Sequence, residues 1–195
     1  MNAITSTKDC ATHAHNNTFS KRSFQLVTLL FLMLGMKGWG QTTGIYESYA
    51  ILNINGGGTT YYDLNAATSN ADFNNANLGT FLSGTNTLVF AGGENKTFKC
   101  SGGNVTGGNI YYRVYLSSGS GGSFTGLAMS FVSNDAGGCG GNQTWRVNSG
   151  STNIITGLAA GTYTLEVYSD APGSPSTAFA SNGGANYKAT FTVVA

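Results

Sequence analysis

The chain has 195 residues, of which 29 are Gly, 9% are charged and 12% are aromatic. Its charge is unevenly placed: Lys8, Lys21, Arg22 and Lys37 fall in the first forty positions with Asp9, leaving five bases against seven acids, a net of −2, over residues 41–195. A slightly acidic stretch whose cations (Lys96, Lys99, Arg113, Arg146 and Lys188) are scattered excludes the basic footprint that nucleic acid or anionic lipid requires.

Residues 24–36 form an apolar run of 13 residues, preceded by Lys21 and Arg22 and followed by Gly38-Trp39-Gly40. A membrane-spanning helix needs about 20 apolar residues. A secretion signal needs a core of about 7–15 with a basic flank and a small-x-small cleavage site. Residues 1–40 are therefore expected to be a signal peptide cleaved before Gln41, with no stable membrane anchor. A short membrane anchor is the alternative. No cysteine follows the run, which argues against a lipoprotein. The mature chain, 41–195, is expected to be one secreted or cell-surface domain.

Past residue 40 no long apolar stripe of helical period appears, and short β-rich runs separated by Gly clusters take its place. Ile45 to Ile54 and Thr59 to Leu64 flank Asn55-Gly56-Gly57-Gly58 and predict a hairpin. Thr87 to Ala91 and Lys96 to Cys100, around Gly92-Gly93-Glu94-Asn95, predict a second. In Asn109 to Leu116, Ile110, Tyr112, Val114 and Leu116 share one face, while Tyr111, Arg113 and Tyr115 share the other. Phe124 to Val132, Thr144 to Val147 and Ile154 to Leu158 read as shorter strands. Gly161 to Tyr168 turns Tyr163, Leu165 and Val167 inward, and Tyr187, Ala189, Phe191 and Val193 repeat that pattern. Two polar stretches, 65–77 and 170–184, read as long loops. The sum is an all-β fold: an immunoglobulin-like or jelly-roll-type β-sandwich of about 8–10 short antiparallel strands, with a small barrel as the alternative.

Both histidines, His13 and His15, lie upstream of the apolar run. The mature chain thus offers no Ser-His-Asp or Cys-His catalysis and no His-ligated metal. Its seven carboxylates are Glu47, Asp63, Asp72, Glu94, Asp135, Glu166 and Asp170. None sits in a spacing that places two acids across a cleft, as a glycosidase requires. They read as solvated turn and strand-face residues, and Glu166, alternating with Leu165 and Val167, is expected to face water. The Gly-rich segments match neither phosphate-cradling pattern. A catalytic role is not expected.

Cys100 and Cys139 are the only cysteines after Cys10, and in an exported domain they are expected to form one disulfide. Asp63, Asn65, Asp72 and Asn74, with Asn75, offer oxygen ligands of the kind calcium prefers. They depart from the EF-hand pattern, and Asn and Asp are also ordinary turn formers, so these are the only metal candidates and no other cofactor is expected. Tyr61, Tyr62, Tyr111 and Tyr115 are candidate ligand-binding residues if their strand faces are wet. Tyrosine is equally favoured as a strand former. Trp145 is expected in the core.

The segment Gly157-Leu-Ala-Ala-Gly-Thr-Tyr-Thr-Leu-Glu-Val167 resembles the Leu-x-x-Gly-x-Tyr-x-Leu-x-Val turn and strand of immunoglobulin-like bacterial surface modules, with Tyr163 placed for a tyrosine corner. Ile45-Tyr-Glu-Ser-Tyr49, Leu52-Asn-Ile-Asn-Gly-Gly-Gly58, Tyr61-Tyr-Asp-Leu-Asn65, Asn77-Leu-Gly-Thr80 and Val105 to Tyr115 are similar to the N-terminal module of large secreted proteins of gliding-type Gram-negative bacteria, which use the type IX secretion route. The resemblance implies a non-catalytic adhesion, scaffolding or accessory-binding module whose partners are extracellular glycans or surface proteins. A carbohydrate-binding module of a larger extracellular enzyme is the alternative. Such proteins end in a separate sorting domain, whereas this sequence stops at Val193-Val-Ala195. Two expectations stay open: a fragment of a longer protein, or a protein that leaves the cell differently or stays in the periplasm.

Overall fold

The computed structural model describes residues 42–139 and 141–195. The expected signal peptide and its cleavage site lie outside the described residues. Among the described residues no helix is long and apolar enough to cross a membrane.

The described chain is nearly all β. Its strands are β1 (Thr43–Ile54), β2 (Thr59–Asp63), β3 (Ala71–Asp72), β4 (Asn77–Leu82), β5 (Leu88–Lys99), β6 (Asn104–Val105), β7 (Gly108–Leu116), β8 (Thr125–Asp135), β9 (Asn142–Val147), β10 (Thr152–Asn153), β11 (Gly161–Ala171), β12 (Gly173–Ser174), β13 (Ala178–Ala180) and β14 (Tyr187–Val194). All but β6 and β12 belong to one curled sheet with the main order β3-β2-β1-β5-β9-β8-β7-β11-β14-β4. Strand β8 is where that sheet folds over into a sandwich. Its first half pairs with β7, Gly108 opposite Met129. Its second half pairs with β9, Ser130 opposite Arg146, and a register shift falls between Phe131 and Ser133. A strand that changes layers through such an irregularity makes the corner of a sandwich.

The core lies between the layers. Ala50, Leu52, Leu88 and Phe90 project from one layer, and Ile110, Tyr112, Leu165, Val167, Ala189 and Phe191 from the other, all buried. Phe90 and Tyr112 stack across the interface with centroids 4.2 Å apart. Each fully buried Leu, Ile, Val or Phe side chain among them stabilises the fold by about 1.5–3 kcal/mol. The alternation in β7, β11 and β14 gives this inward face as expected, and Tyr163 Oη donates to the Ala159 carbonyl at 3.0 Å, closing the tyrosine corner.

The β1–β2 hairpin forms as expected, with Asn55 and Gly56 at positive φ in its turn. The second expected hairpin does not. Leu88–Lys99 is one continuous strand, paired with β1 along its length. Glycine is needed inside it for space, not for a turn. A Cβ on Gly92, whose φ is +140°, would lie 2.0 Å from the Val147 carbonyl oxygen, and one on Gly93 would lie 2.3 Å from Ile110 Cδ1. Ile154 to Leu158 is also a correction: only Thr152–Asn153 pairs with β5, and turns follow. The two expected loops contain β3 and β12–β13, and Phe73 within the first is fully buried. Phe73 anchors that polar stretch by packing edge-on against Tyr62, centroids 6.3 Å apart.

Candidate functional site

The outer face of the second layer is built by strand parity. On β7, residues that alternate with buried Ile110 and Tyr112 present Asn109, Tyr111, Arg113 and Tyr115. On β11, those alternating with Leu165 and Val167 present Thr164, Glu166, Tyr168 and Asp170. The antiparallel register sets Arg113 opposite Glu166 and Tyr111 opposite Tyr168. The Tyr111 and Tyr168 rings stack, centroids 4.6 Å apart and 11° from parallel. Phe124 meets Tyr168 edge-on at 4.9 Å. The Arg113 guanidinium lies 4.2 Å over the Phe124 ring centroid and 5.6 Å from that of Tyr115, so its charge is attracted to both aromatic faces.

Beneath that cover Glu166 is buried, which corrects the expectation that it faces water. Arg113 Nε and Nη2 donate to its carboxylate at 2.9–3.1 Å. Tyr115 Oη donates at 2.8 Å and Asn186 Nδ2 at 2.8 Å. Burial pushes the Glu166 pKa up, but the hydrogen bonds from Asn186, Tyr115 and Arg113, with the Arg113 charge, outweigh it and hold the carboxyl below its ordinary value. Asp170 accepts from Asn109 Nδ2 at 2.7 Å and Tyr111 Oη at 3.2 Å. Burial first, and the Asp170 charge second, push the Tyr111 hydroxyl up in pKa.

Other expected acids of the wet faces are likewise engaged or buried. On the outer face of the first layer Lys96 pairs with Glu47 at 2.6 Å, and Arg146 pairs with buried Glu94. The hydrogen bond from Lys96 holds Glu47 below the ordinary carboxylate range. Asp135 accepts from Thr144 Oγ1 at 2.6 Å and Ser133 Oγ at 2.7 Å, which lower its pKa. Sequence parity missed the burial because it assumes water on the second face of each strand. Here opposite charges on neighbouring strands cover one another.

The four candidate tyrosines divide. Tyr111 and Tyr115 stand on the outer face just described. Tyr61 packs edge-on against Tyr49, 5.9 Å between centroids, near Arg146 and Glu94 of the first layer. Tyr62, one residue on, turns to the core side against Phe73. They do not make one patch. The aromatic residues that the sequence did not single out are Phe124 and Phe179; Tyr168 falls on the wet face that parity assigns it. Phe179 is 59% exposed and lies opposite Asp170 in the β11–β13 pairing.

The calcium candidates divide as well. Buried Asp63 accepts from the Thr68 amide and hydroxyl at 2.9 Å and from Asn70 Nδ2 at 3.1 Å, so its carboxylate organises the loop. Asn65 Nδ2 donates to the Ile45 carbonyl at 3.4 Å. Asn74 Oδ1 accepts from the Lys188 amide at 3.1 Å. Asp72 is exposed on β3. Among the described residues no group of three or more His, Cys, Asp or Glu side chains converges as a metal site.

Cys100 and Cys139 come together with Cα atoms 4.9 Å apart, inside the range a disulfide spans. A bridge between them would tie the Gly-rich loop after β8 to the end of β5. Trp145, half-buried, packs against the core and meets Phe131 edge-on at 5.5 Å.

No protein-family model matches this chain, and no curated protein matches it.

Proposed function

We propose that this chain is a non-catalytic β-sandwich module of a secreted or cell-surface protein, acting in adhesion, scaffolding or accessory binding. The similarity to N-terminal modules of gliding-type bacterial surface proteins gives that reading its setting. The observation that carries it is the state of the acids. Glu47, Asp63, Glu94, Asp135, Glu166 and Asp170 each accept hydrogen bonds from fixed donors. A carboxyl works best as a general acid or base at neutral pH when its pKa is raised toward the operating pH. Glu47, Asp135 and Glu166 are shifted the other way. Those contacts support a rigid presenting surface over a proton-transferring one.

A carbohydrate-binding module is the second reading. It is favoured by Phe179, exposed and in register with Asp170, which holds Asn109. An apolar ring beside fixed amide and carboxylate groups suits a sugar ring.

The test is to incubate purified chain with glycosides, esters and peptides, and in parallel with bacterial surfaces and a glycan array. The module reading expects no turnover and saturable attachment to a surface. Turnover lost on replacing a single carboxylate overturns it. Glycan binding lost in Phe179→Ala promotes the carbohydrate reading.

A further inference from the structure

We propose that the groove between β7 and β10 is a strand-addition site for an extended, uncharged peptide segment; this rests on the binding-module reading and names its ligand class. Strand β7 is paired with β11 from Asn109 to Leu116. On its other side β8 pairs only as far as Tyr112, opposite Thr125. Among the described residues, Arg113, Val114 and Tyr115 therefore have no strand paired on that side.

The gap has a definite cause. A simple hairpin would zip onward from Tyr112 and Thr125. Instead Arg113 Nη1 donates to the carbonyls of Gly121 and Gly122, at 3.3 and 2.9 Å, and its guanidinium rests on Phe124. These contacts hold the connecting loop to the Arg113 side chain instead of in a strand ladder with β7, and leave Gly122 and Ser123 at the rim of the groove. A Cβ on Gly121 would lie 2.5 Å from Arg113 Nε, so a larger residue there would have to displace the guanidinium.

Across the gap, β10 pairs with β5 and, among the described residues, with no other strand. The groove between the two edges has a volume of about 370 Å³, within the range of about 300–1,000 Å³ typical of small-ligand sites. Val114 and Ile154 line it, and the hydroxyls of Ser123, Thr125, Thr152 and Thr156 rim it. The only charged group on its wall, Arg113, is already paired with Glu166. An unpaired strand edge is a template for another strand. Main-chain hydrogen bonds supply the affinity in that mode, and alternate side chains supply the specificity. At about 3.3 Å per residue, the stretch from Arg113 to Tyr115 meets three or four residues of an incoming chain. The hydroxyl rim and paired Arg113 select against charge in that segment.

The experiment is an amide-resolved NMR titration of the purified chain with the blocked peptide Ac-Thr-Val-Ser-Val-Thr-NH2. Parallel titrations use Ac-Thr-Pro-Ser-Pro-Thr-NH2, which lacks two backbone donors, and cellohexaose. The expected result is saturable shifts at 113–116 and 152–154 with the first peptide, roughly tenfold weaker with the proline peptide, the loss that one or two net hydrogen bonds predict. Ser123→Trp, a change at an exposed rim position, should abolish the shifts while leaving the thermal midpoint unchanged. Equal shifts with both peptides, shifts confined to cellohexaose, or unaltered binding in Ser123→Trp overturn the proposal. Attachment of the chain to cell surfaces with no peptide-induced shifts also overturns it, and leaves the binding-module reading standing.

Discussion

Asn95 Nδ2 donates to the carbonyl of Asp170 at 2.8 Å, joining β5 in one layer to β11 in the other. Its Oδ1 accepts from Ser48 and Ser169 hydroxyls, both at 2.8 Å, and those hydroxyls lie 2.8 Å from each other. All three side chains are fully buried. A closed polar network inside an apolar interface fixes the register of the two layers, because any slip would strand its donors and acceptors without water.

Asn95→Leu should therefore destabilise the fold by at least about 2 kcal/mol, since it leaves the Asp170 carbonyl and two hydroxyls short of partners, at about 1–3 kcal/mol for each buried group left unsatisfied. Urea denaturation checks this. A midpoint equal to that of the parent chain would refute the network's role. Ser48→Ala, which removes one member and no volume of consequence, should cost less.

The pairing of Glu166 with Arg113 makes a second prediction, in pH. The Glu166 pKa is lowered in the folded state, so its contribution is fully present above the unfolded carboxylate value, about 4.3, and is lost as pH falls through the lowered folded value. Stability curves of parent and Glu166→Gln, measured from pH 7 down to pH 3, should lie apart at neutral pH and converge below about pH 4. A constant difference across the range would refute the assignment. At pH 7, Arg113→Met should cost about 3 kcal/mol, the low end of the range for leaving one partner of a buried pair uncompensated.

The parts of this molecule that sequence made legible are those governed by one strand alone. Ile110, Tyr112, Leu165, Val167, Ala189 and Phe191 are inward because their own alternation says so, and Tyr163 forms its corner within five residues. What was not legible depends on which strand lies next door. Glu166 looks like a solvated acid until β7 sets Arg113 opposite it. Asn95 looks like part of a Gly-Gly-Glu-Asn turn until β1 and β11 bring Ser48 and Ser169 to it. Tyr61 and Tyr111 look alike on their strands, yet the fold sends them to different layers.

A bridge between Cys100 and Cys139 would close a separation of 39 residues, for which the chain-entropy account gives at most about 4 kcal/mol. Reduction, or the double change Cys100→Ser with Cys139→Ser, should lower stability by up to that amount while leaving the far-ultraviolet circular dichroism of the folded chain unchanged. Non-reducing peptide mapping should recover the crosslinked pair. Two freely alkylated cysteines in the native protein would contradict the bridge.

Gly92 gives the sharpest test of why glycine is abundant here. At Gly56, in the β1–β2 turn, φ is +71° and nothing lies within 4 Å of a Cβ position. Alanine there meets only the backbone penalty of a left-handed residue, about 1 kcal/mol. At Gly92 the φ is +140° and the Cβ would sit 2.0 Å from the Val147 carbonyl oxygen. Both strands would have to move, breaking the ladder where β5 passes β1 and β9. Strain at such a position alone costs of order 1–3 kcal/mol, and the lost ladder bonds add to it. Gly92→Ala should therefore destabilise by well over twice as much as Gly56→Ala, and its amide exchange should accelerate along both β5 and β9. Equal effects of the two substitutions would mean that Gly92 is in a turn after all and that Leu88–Lys99 is two strands. If Gly92→Ala does not fold, Gly93→Ala offers the same comparison at ordinary φ, since its Cβ would meet Ile110 Cδ1 at 2.3 Å and the Tyr49 carbonyl oxygen at 2.8 Å, and it too should destabilise by more than Gly56→Ala.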